Sequence, residues 1–256
     1  MSAMLALKLA IVPAFILGIS LAGQRWGPAI AGWLSGLPVV AGPILFFMAR
    51  EQGAAFAAEA AVATASAVCG SIVFSAAYSW TAMRHRWPLC LLAAAAAYCV
   101  AIALLAWLAP GVVVAALMSL ALVVVAPKLF PQVTSASAPG PMPKTELVVR
   151  MVAGATLVFM ATWSASSLGP RLSGLVAMFP ILGTVLAVFS HRHAGAAFTT
   201  QLLRGMAAGF YAFITFCVVL ALALVPWGIG VAFSAAVVAA LMVQAGAKVV
   251  LLKSKA

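Results

Sequence analysis

The sequence predicts an all-α fold: a polytopic helical membrane protein of about nine transmembrane helices, built as two inverted four-helix repeats joined by one linking helix (4+1+4). Three observations lead there. The 256 residues are 66% apolar and only 7% charged, too few polar groups to cover a soluble domain of this size. Apolar runs of about 20 residues recur along the whole chain, the length a helix needs to cross a bilayer. Residues 27–56 also repeat, without a gap, at 169–198.

The runs are too long and continuous for the alternating pattern of barrel strands, so backbone groups in lipid must be satisfied within helices. Charge or Pro/Gly punctuation bounds spans at 4–22, 27–48, 54–82, 89–108, 111–126, 146–165, 169–190, 196–224 and 229–251. Residues 89–126 are interrupted only by Ala109-Pro110-Gly111. As one helix they would measure about 57 Å, nearly twice the hydrocarbon thickness, so two spans with a tight turn are expected. The first run lacks a preceding positive charge and contains Lys8, so it reads as a retained helix and not a signal peptide.

The repeat has a shift of 142, placing Gly27-Pro28 on Gly169-Pro170, Gly32 on Gly174, Pro38 on Pro180, Arg50 on Arg192 and Gly53-Ala54-Ala55-Phe56 on Gly195-Ala196-Ala197-Phe198. About a third of the 30 aligned positions are identical. Residues 1–108 then form the first repeat, 109–145 the linking helix with a Pro/Ser/Gly-rich linker, and 146–256 the second repeat. Four spans per repeat and one between them make the second repeat enter from the opposite side. With the N-terminus outside and the C-terminus cytoplasmic, eleven of the fourteen Lys and Arg fall on the inner side, leaving only Lys8, Arg50 and Arg171 outside. The net charge of +11 thus follows topology; no basic face or separate domain points to nucleic acid.

Spans two and seven carry Gly and Pro at matching places: Gly27, Pro28 and Pro38 against Gly169, Pro170 and Pro180. Paired broken helices form midplane binding sites in transporters built from inverted repeats. The competing reading is that Gly-Pro starts each helix and Pro38 and Pro180 merely kink it. Among three acidic residues, only Glu59 lies well inside a span, and an intramembrane carboxylate is a functional candidate by default. Its repeat mate is Gln201, with Arg204 one turn further, so Glu59, Gln201 and Arg204 are expected to line a substrate or ion pathway. The alternatives are a merely structural carboxylate for Glu59 and a surface-reaching side chain for Arg204. Arg171 would gate the outer mouth. Lys8 and Arg150, equivalent in the first helix of each repeat, are expected to reach for the membrane surfaces, and His191 and His193 to sit in a solvated loop.

Scattered cysteines (Cys69, Cys90, Cys99, Cys217) fall in apolar runs and read as packing residues; no catalytic or metal cluster and no cofactor motif is expected. An enzyme is therefore disfavoured. The segment with Gly174, Leu175, Val176, Phe179, Pro180, His191, Thr199 and Thr200 resembles the GlpM-like family of small four-helix bacterial inner-membrane proteins. The resemblance implies a fused, duplicated form of a unit that elsewhere stands alone and pairs. It carries no substrate. The first repeat departs from it, with Leu37-Pro38 for Phe-Pro and Ala57-Ala58 for the threonines.

The expected function is a small secondary transporter of the bacterial inner membrane for an anionic or zwitterionic small molecule or lipid headgroup, coupled to protons through Glu59. The alternative is a non-transporting scaffold or accessory subunit of an envelope-assembly system. Expected partners are the lipid bilayer, a small-molecule or ion substrate, and a second copy or another membrane protein.

Overall fold

The computed structural model describes residues 3–133, 143–167 and 180–253, all of whose regular elements are helical. They are α1 (Ala3–Trp26), α2 (Pro28–Ser35), α3 (Ala41–Gln52), α4 (Ala54–Ala82), α5 (Trp87–Leu108), α6 (Val112–Leu129), α7 (Lys144–Ser167) and α8 (Ile181–Lys253). A straight α8 of 73 residues would measure about 110 Å, more than three times a bilayer core. It is instead broken at Gly195 (φ 79°, ψ −179°) and Gly228 (φ 74°, ψ 168°), a backbone region only glycine enters without strain. The three rods are α8a (181–194), α8b (196–227) and α8c (229–253).

Length and apolarity fit α4, α5, α6 and the 181–246 run for crossing a membrane. The expected break at 109–111 is present, with Ala109 in the left-handed conformation between α5 and α6. Where one bent span was expected over 27–48, there are two rods separated by non-helical residues 36–40 around Pro38. Where a loop was expected around 191–195, the helix runs on to residue 194.

α4 is the central helix. Its small-residue stripe Ala57, Ala61 and Ala65 packs with Ala212, Phe216 and Leu220 of α8b and with Ala232, Ala236 and Ala240 of α8c. Its other half, with Phe74 and Tyr78 wholly buried, joins α5 through Cys90, Ala94, Tyr98 and Ile102, and α6 through Val123 and Ala126. In lipid, small residues let helices approach closely and gain packing that the solvent does not supply. The outer faces of α5, α6 and α8c stay apolar and exposed (Leu92, Leu104, Val113, Leu117, Val238, Met242), as a hydrocarbon surround requires. Trp26, Trp80, Trp107 and Trp227 are exposed at or near helix ends, where an indole suits the membrane–water boundary.

The closest approach is between α2 and α8b. A Cβ on Gly32 would overlap the Leu202 carbonyl, and one on Gly36 would overlap the Gly209 backbone. From the other side, a Cβ on Gly205 would meet the Ala29 carbonyl, and one on Gly209 the Trp33 carbonyl. Two glycine pairs spaced by four residues thus put backbone against backbone. Gln244 of α8c, itself buried, donates its Nε2–H to the Trp33 carbonyl at 2.9 Å and secures the free end of α2.

Replacing Gly32 by Ala is expected to lower stability by about 1–3 kcal/mol, because the obstacle is backbone that cannot rotate away. Gly18→Ala, whose Cβ meets nothing within 4 Å, serves as control and is expected to leave stability unchanged or slightly raised. Thermal unfolding in detergent measures both; equal melting temperatures for the two variants would contradict the wedge.

Candidate functional site

α7 opens with Glu146 in its first turn and Arg150 one turn later. Glu before Arg at this spacing is the favourable order on a helix. Arg150 donates from Nη2 to Glu146 Oε1 at 2.8 Å and from Nε to the same oxygen at 3.3 Å. The other carboxylate oxygen, Oε2, lies 2.9 Å from Nδ1 of His193 on α8a. Arg150's guanidinium also stands over the Phe189 ring, 5.7 Å from its centroid. Phe189 and His193 are one turn apart on α8a, so a single helix face holds the arginine against its carboxylate.

The side chain of Arg150 is 3% exposed, that of Glu146 21% and that of His193 18%. A buried guanidinium is tolerable only when paired, and here the pairing is both local and across helices. α7 itself is seated by Gly154, where an added Cβ would overlap Ile16 of α1, within a small core of Val12, Ile16 and Val185.

Beside the ion pair lies a recess. α1 lines it with Ile19, Ser20, Gly23 and Gln24, α8a with Leu186, Ser190, His193 and Ala194, and Ala31, Phe198 and Leu202 close it. It is small: the space open to a water-sized sphere is about 10 Å³, room for one water. Ser20 is buried on its wall, and its Oγ has no hydrogen-bond partner among the described residues. The arrangement can hold a small polar species between a cation, an imidazole and a hydroxyl.

The expected pathway residues lie elsewhere. Glu59 is exposed, not interior. Ala57 and Ala61 point α4's small stripe into the core, and a residue two positions past Ala57 is rotated by about 200° from it. Gln201 and Arg204 are half-buried on α8b, and Arg204 forms no ion pair among the described residues; none of the three lines the recess. Gly27 (φ 88°) and Pro28 start α2 as N-cap and first-turn residues, the helix-start reading. Pro38 lies in the 36–40 break, and Pro180 directly precedes α8a. Gly169, Pro170, Gly174 and the proposed gate Arg171 lie outside the described residues.

Two expectations are corrected. Arg150 does not reach for the membrane surface: a carboxylate one turn away removes the need for water. His191 and His193 are not in a solvated loop but on α8a, with His191 Nδ1 3.4 Å from the Tyr78 hydroxyl. The Glu146–Arg150 spacing was a visible signal. The His193 contact was not, because it depends on how α8a packs against α7. Of the threonine pair in the resemblance, both are buried at the start of α8b, and Thr199 donates to the Gly195 carbonyl at 3.0 Å. Comparisons with protein-family models, curated proteins and solved structures find no match to this chain.

Removing the carboxylate alone, as Glu146→Gln, is expected to destabilise by about 2–3 kcal/mol, less than a fully buried pair because Glu146 is one-fifth exposed. Adding Arg150→Met should recover most of that loss. Thermal unfolding of both variants checks the sign; a double variant no more stable than the single one would contradict the uncompensated-charge account.

Proposed function

We propose that this chain is a multi-pass protein of the bacterial inner membrane, with its N-terminus outside and its C-terminus cytoplasmic, that works as a small secondary transporter for an anionic or zwitterionic small molecule. Two inverted four-helix units flank α6, in the manner of a fused GlpM-like pair. The observation that carries this reading is the interrupted helix α2/α3, whose break at 36–40 leaves helix ends inside the protein. Two further facts support it. Gly53 (φ 94°, ψ 163°) and Gly195 (φ 79°, ψ −179°) sit 142 residues apart, the shift of the sequence repeat, each at the boundary into a long apolar helix. The Glu146–Arg150–His193 cluster, with Arg150 buried and its two partners half-buried, supplies the charge chemistry that exposed Glu59 does not.

A second reading is favoured by one feature, the backbone-to-backbone wedge of α2 on α8b beside a recess of one-water size. Such packing suits a fixed scaffold or accessory subunit of an envelope-assembly system.

Reconstitution into liposomes with an internal pH dye separates the two. Under an imposed pH gradient, a panel of small anions and zwitterions is expected to contain at least one whose addition moves protons with it. A protein that keeps its melting transition yet moves no labelled solute and no protons is a scaffold. Reporter fusions test the topology: insertions at 83–86 and at the C-terminus are expected to report the cytoplasm, and one at 109–111 the outside. The opposite pattern at any one of these sites would contradict the inverted arrangement.

A further inference from the structure

We propose that the recess beside Arg150 binds one small monoanion together with one proton, the proton being held by the His193–Glu146 pair. This deepens the transport reading and rests on it only for the movement, not for the binding. The charge count carries it. With His193 neutral, Arg150 and Glu146 cancel and the empty site is neutral. A proton alone would leave one uncompensated positive charge in a poorly solvated place, and an anion alone one negative charge. Both together restore neutrality. Binding of either therefore favours the other, and by linkage the preference is mutual.

No other described residue facing the recess ionises. α1 contributes Ile19, Ser20, Gly23 and Gln24, α2 only Ala31, and α8b Phe198 and Leu202. α7 contributes Arg150, with its partner Glu146 behind it. On α8a itself the neighbouring Arg192 is exposed and stacked over Trp87 at 5.9 Å, and His191 faces Tyr78. Among the described residues, the groups at the recess that can exchange a proton are His193 and its partner Glu146. A proton on the pair lets His193 offset more of Glu146's charge, loosening that carboxylate's claim on Arg150, whose planar fork then donates to an incoming carboxylate or similar anion. Ser20, buried and unpartnered, donates its hydroxyl to the same anion.

Size sets the class. With room of about one water beside Arg150, the recess favours the smallest monoanions, a halide or a carboxylate of few atoms, and a lipid phosphodiester is too wide.

The test is calorimetric titration of the purified chain in detergent with glycolate, L-lactate and chloride, in two buffers of different ionisation heat. At least one monoanion is expected to bind with about one proton taken up, its affinity falling up to about tenfold per pH unit wherever the free site has given up that proton. Binding without proton uptake, or no binding of any of the three at about pH 5.5, overturns the proposal. His193→Gln is expected to remove the pH dependence. If that variant fails to fold, Ser20→Ala, which breaks no existing hydrogen bond, is expected to weaken binding several-fold with proton uptake unchanged; unaltered affinity there would contradict the site. Proton-linked binding without flux in liposomes refutes transport alone. Flux that persists in Arg150→Gln refutes the recess alone.

Discussion

The backbone contact between α2 and α8b is the constraint on which the rest of the structure depends. Gly32 and Gly36 face Gly205 and Gly209, and no side chain fits between the two helices. A rod as short as α2, eight residues, has little stability of its own. It is held because dispersion contacts along its glycine face are made at backbone distance, and because Gln244 bonds the Trp33 carbonyl at its end. Ser35 bonds the Gly32 carbonyl in the same turn. With α2 fixed there, Ala31 and Leu202 come together at the edge of the recess, and α1 is drawn in through Gly23 against Ala31.

Polar groups in this apolar chain follow one economy. On α4, Thr64, Ser66, Ser71, Ser75, Ser79 and Thr81 each return their hydroxyl to a carbonyl one turn back, so they need nothing from neighbouring helices. Cross-helix bonds are fewer and each ties two rods: Ser119 to the Ala65 carbonyl at 2.8 Å, and Trp80 to the Leu129 carbonyl at 2.8 Å. The Glu146–Arg150–His193 cluster differs in kind. A charged group buried at 3% exposure adds little to stability over an apolar core of the same volume, whereas removing one partner alone is costly.

Helix extents were legible because they follow from composition: α4 spans 54–82 as expected, and the break between α5 and α6 falls at Ala109. The interruption near Pro38 was legible too, since proline and two nearby glycines oppose a continuous helix. The side chains that form the recess were not. Glu59 drew attention as a carboxylate within a span, but the helix phase set by Ala57, Ala61 and Ala65 turns it outward. Arg150 was read as a residue in search of water, although Glu146 at four residues' distance already answered its charge. His193 joins them only through the packing of α8a on α7, a contact between segments more than forty residues apart that no local pattern encodes.

The most direct measurement of the central claim is sided labelling of Ser20→Cys in a chain whose four native cysteines are replaced by alanine, in sealed vesicles of known orientation. With the proposed orientation, N-terminus outside, the recess opens at the cytoplasmic ends of α1, α7 and α8a. A small membrane-impermeant thiol reagent is expected to label this position from the cytoplasmic face, and a bound monoanion at low pH to slow the reaction. Labelling from neither face, with or without anion, would mean that the cluster is sealed packing, and the recess would lose its claim to be a site.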